Sequence, residues 1–165
     1  MKTIKIDNRN VYVLFGDVDY YENKESILAL KRKSNTVSIN HDNYNHFLLE
    51  AKKRFFNIPE LKNIDKVISI ETTAPITDEL ANVIKIPYKN HGFLKQDKNF
   101  KMKNIPLDKR SDVKNLFKLD FDIEDNKSIC VLDDFITTGT SFKNAFSLIP
   151  NNINAVGVCL FVLKS

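Results

Sequence analysis

Residues 128–141, SICVLDDFITTGTS, run from four apolar residues into two acids and then into a cluster of hydroxyls around one glycine. A short apolar run closed by polar residues reads as a buried strand, and SFKNAFSLI (141–149) has helical spacing. Strand, tight loop and helix in that order make a unit of an α/β sheet. The strand takes a central parallel position, and the loop lies at its carboxyl end. The helix is expected to begin near Thr140 or Ser141.

The rest of the chain repeats the alternation. VYVLF (11–15) reads as a strand ending at Gly16-Asp17, ESILALKRK (25–33) as a short helix, and TVSIN (36–40) as a short strand. Asn43 is a candidate cap for YNHFLLEAKKRFF, where Phe47, Leu48, Ala51 and Phe55 share one face. DKVISI (65–70) is a buried strand, Pro75 breaks the chain, and TDELANVI (77–84) is a helix with Asp78 and Glu79 in its first turn. IKIPY (84–88) is a short extended piece. Residues 89–107 are polar and Lys-rich and read as a mobile loop or short hairpin. DKRSDVKNLF (108–117) reads as a helix and NAVGVCLFVLK (154–164) as one buried strand. The expected architecture is α/β, a mainly parallel, Rossmann-like sheet flanked by helices. It forms one domain over 1–165, with no repeat or linker.

Composition narrows the function classes. With 165 residues, 42% hydrophobic and 28% charged, the chain can bury a core and is not of disordered type. A net charge of +4 suits an anionic ligand but does not by itself argue for nucleic acid. The two cysteines, Cys130 and Cys159, sit in apolar runs without a C-x-x-C pair, so they read as buried reduced thiols rather than zinc ligands. The N-terminal MKTIKIDNRNVYVLF lacks the pattern of a secretory leader, and no stretch has the length and apolarity of a bilayer span. A cytoplasmic protein without membrane contact is expected.

The loop after the strand carries the chemistry. Backbone N–H groups near Gly139 and at the helix start lack internal partners, and with the helix dipole they form an anion site. Thr137, Thr138, Thr140 and Ser141 add hydroxyl donors, and Gly139 lets the backbone approach a phosphate closely. Asp133 and Asp134, on opposite sides of the strand's end, are suited to accept hydrogen bonds from sugar hydroxyls or to hold Mg²⁺, generally through water or substrate. A phosphate cradle beside two diol-seeking acids describes a ribose 5-phosphate site.

ICVLDDFITTGTS resembles the phosphoribosyl pyrophosphate (PRPP) signature of type I phosphoribosyltransferases. That signature has four apolar residues, two acids, two variable residues, Thr-Thr-Gly, a small residue and Ser or Thr. The resemblance implies that Asp133 and Asp134 take the ribose and that the loop Phe135, Ile136, Thr137, Thr138, Gly139, Thr140 and Ser141 surrounds the 5-phosphate. Thr137 stands where some purine-salvage members carry Asp, so the Thr-Thr-Gly form is closer to orotate-type and competence-protein ComF-like members. LDKRSDVKNLF (107–117) is similar to a ComF-like pattern in which Lys109 and Arg110 fall on an Arg pair. GFLKQDKNFKMKN (92–104) is similar to the basic catalytic loop of that group, and ILALKRK (27–33) to a short helix near its N-terminus. That group carries a zinc ribbon near the N-terminus, and no cysteine stands in the corresponding part of this sequence. The chain carries ETTAPITDEL (71–80) in place of an Arg-rich stretch, so Glu71, Thr72, Thr73 and Ala74 stand at the pyrophosphate loop by position.

As an enzyme, such a protein would transfer the phosphoribosyl group from PRPP to a nitrogen base and release pyrophosphate, with Mg²⁺ as cofactor. Asp133, Asp134, Lys109 and Arg110 would be the catalytic set. The alternative is a non-catalytic PRPP- or nucleotide-binding protein of the same fold, acting in DNA uptake or regulation. A further alternative is an α/β protein whose loop takes some other nucleotide. Between Lys95 and Lys118 stand eight basic residues against three acids, a segment able to close over a polyphosphate. Its Phe93 and Phe100 also suit single-stranded nucleic acid. Phe135 is expected to project from the loop where a base could stack. A second copy of the chain is a further candidate partner.

Overall fold

The computed structural model describes residues 1–19, 41–71 and 76–164. The expected helix at 25–33, the expected strand at 36–40 and the break at Pro75 lie outside those residues. The described elements are β1 (Lys2–Ile6), β2 (Arg9–Val13), β3 (Asp17–Asp19), α1 (His41–Phe56), β4 (Lys66–Ile70), α2 (Ile76–Ile84), β5 (Tyr88–Lys95), β6 (Phe117–Leu119), β7 (Ser128–Leu132), β8 (Phe135–Ile136), α3 (Thr140–Ser147), β9 (Asn154–Cys159) and β10 (Phe161–Lys164).

A seven-stranded sheet runs in the order β1-β2-β9-β7-β4-β5-β6. Its five central strands are mutually parallel, and β1 and β6 close the edges antiparallel. Successive residues of a strand face opposite sides, so each buried strand feeds two cores. Val67, Cys130, Leu132, Val156 and Val158 pack with Leu48, Ala51 and Phe55 of α1 and Leu80 and Ile84 of α2. Ile68, Ile129, Val131 and Cys159 pack on the other side with Phe142, Ala145 and Phe146 of α3. The fold is therefore α/β, a mostly parallel sheet with helices on both faces.

Several expectations are corrected. The first part of 89–107, expected as a mobile loop or short hairpin, belongs to the strand β5, which pairs antiparallel with β6 and buries Phe93 fully. The alternation was hidden by a bulge. Ile68 pairs with Lys89 and Ile70 with Phe93, so one residue of β4 spans three of β5. His91 takes φ 50 there. A Cβ on Gly92 would meet Ile68 Cγ2 at 2.4 Å. IKIPY is not extended throughout, because α2 ends at Ile84 and Lys85 turns at φ 63. Residues 108–117 form no α-helix: a 3₁₀ turn covers Leu107–Asp112, then irregular chain with Asn115 at φ 56 leads into β6. Asn43 lies within α1 rather than capping it. A hairpin not expected from the sequence, β1–β2, turns on Asp7 and Asn8 at φ 48 and 66, the paired positive values of a type I′ turn.

The expected single strand 154–164 is two strands. β9 ends at Cys159, and β10 continues in a separate three-stranded parallel sheet of order β3-β10-β8. The neighbours β2, β9 and β7 each pass their chain into that small sheet in the same order. It thus prolongs three core strands beyond a kink at Gly16, Leu160 and Asp134. Stacked Phe rings fill the bend, Phe135 on Phe161 at 5.6 Å, Phe161 on Phe15 at 5.3 Å and Phe15 on Phe47 at 4.5 Å.

Candidate functional site

The strand order reverses at β4. From β4 the chain moves to β5 on one side, then returns to β7 and β9 on the other. Open α/β sheets leave a crevice outside the carboxyl ends of the strands at such a point. A cleft of about 320 Å³ opens there, lined by Ile70 and Glu71 from the end of β4 and by Lys95 from the end of β5. Asp133, Asp134, Thr137 and Ser141 line it from the end of β7 and the loop beyond. Phe100, Met102, Arg110 and Leu116 come from the connection between β5 and β6, Phe117 from the start of β6, and Phe135 and Leu163 from the small sheet.

The two acids are fixed by the main chain. Asp133 N–H donates to Val158 O and Leu160 N–H to Asp134 O, both at 3.0 Å, which extends the β7–β9 pairing by two residues. Asp133 Oδ1 accepts the N–H of Asp134 at 2.9 Å, and Asp134 Oδ1 accepts that of Phe135 at 2.8 Å. Both residues are buried. Burial, and after it the charges of these two acids, push the Cys159 thiol up from its ordinary value.

The loop then turns into α3 through Gly139 at φ 77, a conformation that glycine adopts without strain. Thr137 to Ser141 enclose a hollow of about 40 Å³. Thr137 and Ser141 also reach the larger cleft. Thr140 is buried and donates its hydroxyl to Arg110 O at 2.9 Å, with Thr138 Oγ1 2.8 Å away. Its hydroxyl therefore holds the neighbouring segment, while the residue also lines the hollow.

The cleft gathers some expected residues and leaves others outside. Of the basic segment, Lys95 and Arg110 line it, while Lys109 is exposed elsewhere. Glu71 lines it and accepts the Lys95 N–H at 2.5 Å through Oε2. Thr72, Thr73 and Ala74 lie outside the described residues. Phe135 does not project from the loop. It is buried against Phe161, with an edge on the cleft. Phe93 is enclosed in the core and cannot stack on a base, which removes one of the two aromatics that suggested single-stranded nucleic acid. Met102, Leu116 and Leu163 were not singled out from sequence, since an isolated apolar residue carries no mark of what it will face, whereas Phe117 falls on the Phe of the ComF-like pattern and does reach the cleft.

No family model matches the chain, and no curated protein matches it.

The donor set bears on the expected Mg²⁺. Hard cations of that size are held by one or two carboxylates together with ligand phosphates rather than by an all-protein cage. Asp133 and Asp134 fit that role. Among the described residues no three His, Cys, Asp or Glu side chains form a self-sufficient metal centre. Among them, too, no helix is long and apolar enough to cross a membrane.

Proposed function

We propose that the chain is a phosphoribosyltransferase-type protein of ComF-like kind that binds PRPP or a ribose 5-phosphate nucleotide with Mg²⁺. The observation that carries this reading is the convergence, at the reversal of strand order, of Asp133, Asp134, Thr137 and Ser141 with Lys95 and Arg110. Asp133 and Asp134 accept the ribose hydroxyls and hold Mg²⁺ through water or phosphate oxygens. The amides around Gly139, with the hydroxyls of Thr137 and Ser141, receive the 5-phosphate. Lys95 and Arg110 balance the charge of a diphosphate on the same sugar. When bound, Mg²⁺ supplies further neutralisation of that charge.

Transfer to a nitrogen base, with release of pyrophosphate, is the activity this arrangement serves. A second reading, non-catalytic PRPP or nucleotide binding in DNA uptake or regulation, is favoured by Glu71. Its carboxylate lines the same cleft, and an unneutralised acid there opposes a departing polyphosphate.

Thermal unfolding with PRPP, with and without Mg²⁺, tests the site. Ligand at 100 times its Kd adds roughly 2.7 kcal/mol of stability. A Mg²⁺-dependent rise that is lost in Asp133→Asn/Asp134→Asn is the expected result, and no rise in the wild type refutes the site. Pyrophosphate release with a panel of bases then separates the two readings.

A further inference from the structure

Thr140 and Asn144 stand one turn apart on α3 and are buried, at 3% and 5% exposure, beside Phe142, Ala145 and Phe146. A hydroxyl and an amide in such positions add no packing that an aliphatic residue would not, and left unpartnered they would be destabilising. Both are engaged with one segment that is about 30 residues distant in sequence. Thr140 Oγ1 donates to Arg110 O at 2.9 Å. Asn144 Nδ2 donates to Val113 O at 2.9 Å, and Asn144 Oδ1 accepts the Leu116 N–H at 3.1 Å. Asn144 Nδ2 also reaches Thr140 O at 2.9 Å, which ties the two positions to each other.

These bonds fix the backbone of 110–116 from its first residue to its last. They also hold 113–116 in an irregular, non-helical path, with Asn115 at φ 56. The Arg110 side chain is held separately, by its Nε donating to Ile105 O at 2.8 Å. Arg110, which lines the cleft, is thus held at both its backbone carbonyl and its Nε, and a guanidinium stays charged at any ordinary pH. A preset cation loses less conformational freedom on binding than one recruited from a mobile loop.

We propose that Thr140 and Asn144 are positioning residues that fix the 110–116 segment against α3, so that Arg110 is set in the cleft before an anionic ligand arrives. The inference rests on the reading of the cleft as a phosphoribosyl site. It assigns the hydroxyl of Thr140 to the protein rather than to the phosphate. It also makes the second half of the basic connection a fixed wall.

The test combines PRPP titration with Mg²⁺ by calorimetry and amide hydrogen exchange of the ligand-free protein, on the wild type, Thr140→Val, Thr140→Ser, Asn144→Ala, Arg110→Gln and Thr140→Val/Arg110→Gln. Thr140→Val is expected to weaken PRPP roughly tenfold, about the worth of one hydrogen bond, and Thr140→Ser to restore it. The double variant is expected to bind no more weakly than Arg110→Gln alone, because the effect of Thr140 passes through Arg110. Additive losses would mean that Thr140 touches the ligand, and an unchanged Kd with a lowered Tm would mean that its role is only structural. Either outcome overturns the proposal. Exchange at Val113 and Leu116 should quicken in Thr140→Val and Asn144→Ala without ligand, and unchanged exchange refutes the fixed wall even where PRPP binds. A wild type that binds no PRPP overturns the reading of the site and the ligand role with it, whatever the exchange shows. If Thr140→Val does not fold, Asn144→Ala and Asn144→Ala/Arg110→Gln carry the same two comparisons.

Discussion

Gly139 shows what a single residue contributes to the candidate site. At φ 77 it carries the chain from loop to helix, and a Cβ added there would lie 2.8 Å from Ile6 Cδ1. The Ile6 methyl can yield, so the backbone dominates: a left-handed residue with a side chain costs roughly 1–2 kcal/mol. Gly139→Ala is expected to lower the urea unfolding free energy by about that amount. An unchanged midpoint would show that the turn relaxes freely. This glycine, the two acids and the hydroxyls were legible as residues, because each type is chosen for a local property such as backbone freedom, charge or donor capacity. Which hydroxyl lines the cleft was not legible. Thr137 and Thr140 are chemically alike, and only the carbonyl of Arg110 beside Thr140 separates them.

At the scale of elements, β7 and α3 were readable because a four-residue apolar run and an apolar helical stripe are periodic by themselves. β5 was not. Its bulge breaks the alternation between Lys89 and Phe93, and its lysines suggested a solvated loop. Phe93 nevertheless lies fully inside the core, edge-on to Phe121 with centroids 6.0 Å apart. Phe93→Ala is expected to cost about 3–5 kcal/mol in chemical denaturation. A surface loop residue would cost less than about 0.5 kcal/mol. The hairpin at Asp7-Asn8 also escaped notice, although two turn-forming residues between KTIKI and RNVYV are a recognisable signal. NAVGVCLFVLK reads as one strand because it is apolar throughout. Its division at Leu160 follows from the bend that β2 and β7 make beside it.

At the scale of the molecule, Tyr44, Tyr88 and the two cysteines share a direction. Burial, and after it a hydrogen bond to Asp78, raises Tyr88; burial, and then Glu79, raises Tyr44; burial alone raises Cys130. In each case the folded value lies above the unfolded one, so the contribution to stability is complete below the unfolded value and is lost as pH rises toward the folded one. The unfolded values are about 8.5 for cysteine and 10 for tyrosine. The urea midpoint should therefore hold to about pH 8 and fall steadily above it. Tyr44→Phe and Tyr88→Phe should each flatten the upper part of that fall, and a midpoint level to pH 11 would contradict the assignment. The sequence by itself determined the α/β class, the strand–acid–loop–helix unit at 128–147 and the two buried thiols. Those follow from period and composition within a dozen residues. Only the tertiary structure decided that Glu71, Lys95 and Arg110 meet Asp133 and Asp134 in one cleft, that Lys109 stays outside it, and that Phe135 turns inward against Phe161. Those facts depend on pairing between segments far apart in the chain, where each partner's chemistry is satisfied by a residue that its own neighbourhood does not contain.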